Sequence, residues 1–344
     1  MQTIIKVFFL ACFLLMQQMP AARAETDACP MPDGYIDRGI GGTGLTGTNG
    51  DDGIGGTGID NRKAGPNTAS TIYVIGTIYA YGSLCVNGLH ITYADDTPVK
   101  DGAGTSSAKE LQLGQLVQVE AEKTPGVSSL KARKISLIHM LEGPVSGVSP
   151  ETGTIEVMGE SIRLADLSGY PQLSVGLGVR VGGLRDLKGR IVATSIVAKG
   201  AKQPDRVAGH LTMDEKEHML IGKTPITLPK GVKLPPSGED LVAVGAWRDN
   251  SLHVTRVSEK PDDDFAPGYI SLEGYIEHVP DAHHAQVCDE VFNTDGLKDA
   301  RFREGDRVIV TGVIGKDGKL DAIDLKDVKV PGINVLGSDK DKLQ

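Results

Sequence analysis

Residues 143–148 read Gly-Pro-Val-Ser-Gly-Val, residues 153–159 Gly-Thr-Ile-Glu-Val-Met-Gly, residues 175–182 Val-Gly-Leu-Gly-Val-Arg-Val-Gly and residues 189–196 Gly-Arg-Ile-Val-Ala-Thr-Ser-Ile. Each is a short run of aliphatic and β-branched residues bounded by glycine, which is the signature of short strands separated by tight turns. The same rhythm returns on both sides of this stretch. Gly76, Gly143, Gly209 and Gly274 stand 67, 66 and 65 residues apart, and Gly114, Gly176, Gly238 and Gly305 each precede a further aliphatic run. Closing runs begin at Leu130, Ile191, Leu252 and Leu320, two positions before Ala132, Ala193, Val254 and Ala322. One unit of about 65 residues is therefore used four times.

The first copy shows what each unit contains. Thr77–Tyr81, Leu84–Asn87, Leu89–Tyr93, Leu116–Ala121 and Leu130–Ile135 read as five strands, and Val117 and Val119 alternate with Gln118 and Glu120 as on a sheet with one buried face. Asp317-Gly318, Lys188-Gly189 and Asn250-Ser251 occupy equivalent turn positions between strands. Five short strands in so small a unit leave exposed edges unless the sheet closes, so the expected fold is all-β: four tandem five-stranded OB-like barrels after a Gly-rich irregular leader. Units this small bury little surface alone, and they are expected to pack on one another.

The boundaries follow from composition: a signal peptide over 1–24, the leader over 25–71, units over 72–139, 140–200, 205–258 and 269–328, a linker over 259–268 and a tail over 329–344. Lys6, the apolar run Val7–Met16 and Ala22-Arg23-Ala24 lay out a secretory signal with a small-residue cleavage site. The mature chain is expected to be periplasmic or secreted in a bacterium, with no transmembrane segment. The formal charge of the whole chain is −9, and loss of the signal takes Lys6 and Arg23 with it. An acidic exported chain has no electrostatic reason to bind nucleic acid. Its expected partner is a protein or an envelope polymer.

The four stretches quoted at the outset, which together make up copy two, resemble the bacterial family catalogued as domain of unknown function 5666. Arg303-Glu-Gly-Asp-Arg-Val-Ile-Val-Thr-Gly312 and Asp317-Gly-Lys-Leu-Asp-Ala322 repeat the likeness in copy four, and it extends over about 72–328. It rests on turn glycines and core aliphatics, so it implies a fold and no particular activity. Copy three departs most: Pro225, Pro229, Pro235 and Pro236 argue against a regular third strand there.

Chemistry-bearing residues are few. The chain has no Gly-x-Ser-x-Gly elbow, no His-Glu-x-x-His and no phosphate loop, so no enzyme activity and no cofactor are expected. Cys29 in the leader and Cys85 in copy one form the disulfide candidate in an oxidising compartment, with Cys288 as the odd thiol; three unpaired cysteines are the alternative. Such a bridge contributes on the order of 4 kcal/mol by loop closure. Tyr79 and Tyr81 share a strand face and are the ligand-binding candidates, with a glycan or small molecule as the ligand; the same rings are suited to filling the barrel. The loop Ala94–Glu110, present only in copy one, lies beside them. His278, His283 and Cys288 are the metal-ligand candidates, against a solvated hairpin turn as the plainer reading. The expected role is a non-catalytic binding or structural module of the bacterial envelope.

Overall fold

The computed structural model describes Cys29 and residues 71–80, 83–102, 104–123, 129–165, 170, 172–230, 232, 240–259, 265–297 and 301–328. The expected signal, nearly all of the leader, the tail and Asp262–Asp264 lie outside these residues. Apart from one 3-10 turn at Ala108–Glu110, the regular structure described is strand throughout. No helix among the described residues is long and apolar enough to cross a membrane.

The first unit holds β1 (Ile72–Ala80), β2 (Leu84–Val86), β3 (Leu89–Thr92), β4 (Val99–Asp101), β5 (Gly104–Ser106), β6 (Leu116–Lys123) and β7 (Leu130–Ile138). Here β1 pairs β2, β2 pairs β3, β3 runs parallel to β7, β7 pairs β6 and β6 returns to β1. That circuit is a closed five-stranded barrel with the strand order of an OB fold. The hairpin β4–β5 is an addition, fastened by parallel pairing of Val99–Asp101 with Ile135–Leu137. It comes from the insertion between Ala94 and Glu110.

The same five pairings recur in the later units. The second contains β8 (Leu141–Ser149), β9 (Thr154–Val157), β10 (Glu160–Arg163), β11 (Gly178–Arg185) and β12 (Ile191–Ala198). The third contains β13 (Asp205–Met213), β14 (Met219–Ile221), β15 (Thr224–Thr227), β16 (Asp240–Arg248) and β17 (Ser251–Glu259). The fourth contains β18 (Gly268–His278), β19 (His284–Val287), β20 (Glu290–Asn293), β21 (Arg307–Ile314) and β22 (Leu320–Asp327).

Three local readings change. The strand in doubt in copy three forms: Pro225 lies inside β15, its carbonyl accepts from Ser251 Oγ, and Ile226 and Thr227 pair β17. Pro229 follows the strand, so Pro225 alone leaves β15 one amide donor short, and Pro235 and Pro236 lie outside the described residues. The turn in copy three falls at Asp249-Asn250, both with positive φ, one position before the pair Asn250-Ser251. The opening strands also begin earlier than their glycines, at Ile72 in copy one.

Those glycines sit inside the strands because of what lies over them. A Cβ on Gly76 would meet Asn87 Oδ1 at 2.1 Å, on Gly143 Met158 Sδ at 2.6 Å, and on Gly274 Cys288 Sγ at 2.6 Å. Asn87, Met158 and Cys288 are the first turn residues of the following hairpin, all at positive φ, and each folds back across its own opening strand. In the third unit that turn residue is Gly222, which offers no side chain. The space near Gly209 and Gly222 is filled by Arg185 and Glu160 of the second unit.

The barrels join in an order the chain does not suggest. In β1, antiparallel β2 covers only Ile78 and Ala80, leaving an edge over the first half. Exposed edges invite pairing, and here another opening strand supplies it. Ile72–Ile75 of β1 run parallel to Tyr269–Leu272 of β18, so units one and four share a sheet. Leu141 and Glu142 of β8 pair Val207 and Arg206 of β13, which joins units two and three. The cores follow the seams. Tyr269 from unit four is buried in the core of unit one, while Tyr73 and Ile75 enter the core of unit four. Units two and three share one continuous apolar cluster.

Candidate functional site

Two charged residues interrupt the apolar opening strands immediately before their glycines: Glu142 and Glu273, where units one and three carry Ile75 and Ala208. Each Glu lies at a seam. Glu273 is wholly buried and is held by Arg307, itself 3% exposed, through Nε at 3.1 Å and Nη2 at 2.7 Å. From unit one, the Thr77 amide donates to Glu273 Oε2 at 2.8 Å and the Tyr79 hydroxyl donates to Oε1. Burial, followed by the Glu273 charge, drives the Tyr79 phenol well above its ordinary value. Burial opposes the charge on Arg307, but Glu273 and the facing tyrosines outweigh it and keep that guanidinium protonated. Tyr79 is therefore a seam residue. Its hydroxyl is committed to a carboxylate across the joint rather than offered to a ligand, and Tyr81 lies outside the described residues.

The seam between units two and three is built differently. Arg185 from unit two embraces buried Glu160 with two bonds of 2.8 and 2.9 Å and reaches the Ala208 carbonyl of unit three at 3.2 Å. The Lys223 amide of unit three donates to the same carboxylate at 2.8 Å. Units one and two meet through Asp101, which accepts from Arg180 at 2.6 Å and bonds His139 at 2.9 Å. The His139 hydrogen bond, more than the arginine, holds the Asp101 carboxyl below its ordinary value against the effect of burial.

Where the two pairs of barrels face each other they enclose a cleft of about 530 Å³ lined from all four units. Its walls are mainly apolar, with Ile75, Leu116, Leu184, Leu187 and Leu272 among them. Leu187 is half exposed at the mouth. One rim is polar: His210 Nδ1 lies 3.1 Å from Asp240 and its Nε2 lies 3.3 Å from Asp289 of unit four. These three side chains bring ligand-type atoms within 4.8 Å of one another. Each imidazole nitrogen already faces one carboxylate, so the triad serves as a clasp between units three and four.

The predicted metal ligands are not brought together. His278 bonds Glu304 at 2.9 Å, His283 bonds Asp295 at 2.6 Å, and both side chains are more than half exposed on separate carboxylates. Cys288 packs over Gly274, with its thiol directed at the Glu273 carbonyl at 3.7 Å. Asp295 raises the His283 imidazole above its ordinary value, which is the behaviour of an ion-paired surface histidine. The disulfide, by contrast, is present: Cys29 and Cys85 are bridged across 56 residues, stapling the leader to β2, and Cys288 takes no part in a disulfide.

Sequence reasoning did not find the cleft, because its walls come from four separate copies. The signal that was available is Glu273, which lines the cleft and stands where units one and three carry Ile75 and Ala208.

The family described as a domain of unknown function (DUF5666) matches residues 74–136 and 142–197. Those segments are the first and second barrels, from β1 to β7 and from β8 to β12. No curated protein matches the chain.

Proposed function

We propose that this protein is an exported, non-catalytic binding module of the bacterial envelope whose ligand seat is the cleft shared by its four barrels. One observation carries the reading: an apolar cavity of about 530 Å³ with a polar clasp at one rim, in the size range and with the lining of small-molecule sites. A pure scaffold of stacked barrels has no use for such an opening. The apolar walls favour an amphipathic or aromatic ligand, with its polar end toward His210, Asp240 and Asp289. The residues grouped at the rim are a histidine and two aspartates, each imidazole nitrogen facing one carboxylate, a polar clasp suited to holding the polar end of a ligand.

A neutral apolar fluorophore, N-phenyl-1-naphthylamine, tests the seat. Its emission should rise on mixing with the native protein, and Leu187→Glu, at an exposed position on the cleft mouth, should abolish most of that rise with unchanged melting. Equal emission from both proteins would overturn the reading.

A further inference from the structure

A second cavity, of about 460 Å³, lies on the other side of the same seams, between the β4–β5 turn of unit one, β11 of unit two and the outer face of unit three. Three arginines line it, Arg180, Arg206 and Arg256, against two carboxylates, Asp101 and Glu142. Asp101 is already engaged by Arg180 and His139. Glu142 forms an ion pair with Arg206 at 3.6 Å from Nη1, too long for a hydrogen bond.

Arg206 is the unusual member. It is 8% exposed, yet its Nε and Nη1 have no hydrogen-bond partner, and Arg180 Nε is likewise unpartnered. A buried guanidinium with unused donors carries a desolvation cost that a bound acceptor would remove. Nη1 points at Gly102, where a Cβ would sit only 3.1 Å away, and Gly102 holds a positive φ of 58° at the tip of the hairpin found only in unit one. On the opposite wall Arg256, cross-strand from Val244, is exposed.

We infer that this cavity is a binding site for an oxyanion, a phosphate, sulfate or carboxylate group, standing free or borne on a larger ligand. Arg206 forms the floor and Arg256 the lip. In a chain of net charge −9, a local excess of arginine with idle donors fits capture of an anion, and guanidinium is the side chain best matched to such groups. The site shares Arg206 and Val242 with the apolar cleft, but a neutral fluorophore carries no acceptor anion and does not report on it.

Calorimetric titration with inorganic phosphate, inorganic sulfate and glucuronate, each at ionic strength fixed with sodium chloride, tests the inference and separates tetrahedral from carboxylate ligands. At least one should bind saturably. Arg256→Gln should weaken it roughly tenfold or more, as loss of a charge-assisted bond does. Arg206→Gln should abolish it, with Arg256→Gln as the safeguard if that variant does not fold. Absence of heat beyond the chloride control for all three anions would overturn the inference, and so would binding that Arg256→Gln leaves unchanged.

Discussion

The two seams of this molecule solve one problem in opposite ways. Between units one and four, four parallel rungs and a buried carboxylate fully engaged by Arg307, Tyr79 and Thr77 make a joint whose polar groups point inward at one another. Between units two and three there are two antiparallel rungs, and the corresponding carboxylate, Glu142, meets Arg206 in an ion pair of 3.6 Å with no hydrogen bond. Equal chemistry at equivalent strand positions thus yields a closed joint in one place and idle donors in the other. What distinguishes them is the neighbouring unit: Thr77 and Tyr79 complete the first network, whereas Gly102 packs against Arg206 and offers it no acceptor.

The sharpest way to break this comparison is to remove each arginine in turn. Arg307→Met should destabilise the protein by about 3 to 5 kcal/mol in urea unfolding, since it strands Glu273 in the interior. Arg206→Met should cost less, about 1 to 2 kcal/mol, because it breaks a 3.6 Å ion pair with Glu142 but no hydrogen bond. Equal losses would show that the two joints are energetically alike.

A smaller effect probes the glycine that admits unit two into unit three. Gly222→Met restores the residue type that unit two carries at that turn, but its Cβ would fall 2.2 Å from Glu160 Oε1. Overpacking of this kind costs about 2 kcal/mol. The reverse change in a unit without such an intruder, Met158→Gly, should instead open a cavity, and thermal melts of the two variants should show different pressure sensitivity.

Asp101 tests the remaining joint, between units one and two. Its folded-state carboxyl is held low, so its contribution is present at pH values above the ordinary aspartate value and fades as pH falls through the folded one. Asp101→Asn should therefore cost about 1.5 kcal/mol at neutral pH, and the difference from the parent should close in strong acid. A gap that persists at low pH would assign the effect to packing.

The smallest effect is expected from zinc. With His278 and His283 on separate carboxylates, melting in equimolar zinc and in chelator should coincide. A stabilisation lost in His283→Ala would revive a metal site in unit four.

Much of the fold was legible because it is local. Alternation of aliphatics fixed the strands, and turn glycines fixed their spacing; the extra hairpin aside, each unit has its five. The cysteine pairing was also within reach, since it depends on compartment and on so few candidates. The seams were not legible. Whether β1 pairs β18 or β8 depends on how barrels stand in space, and Ile72–Ile75 would read the same beside either. The surroundings of single residues were hidden for a related reason: Tyr79 looks like an exposed ring until unit four supplies Glu273, and Arg206 looks like an ordinary strand-end cation until Gly102 is seen beside it.

The exchange of Tyr73 and Tyr269 between cores has a consequence for the order of assembly. The first barrel to be synthesised lacks a piece of its interior that lies almost 200 residues downstream, and the last cannot be filled without the first. The middle pair, joined through near neighbours in sequence, can finish alone. A chain made from its amino end therefore completes its centre before its beginning, and its beginning and end only together.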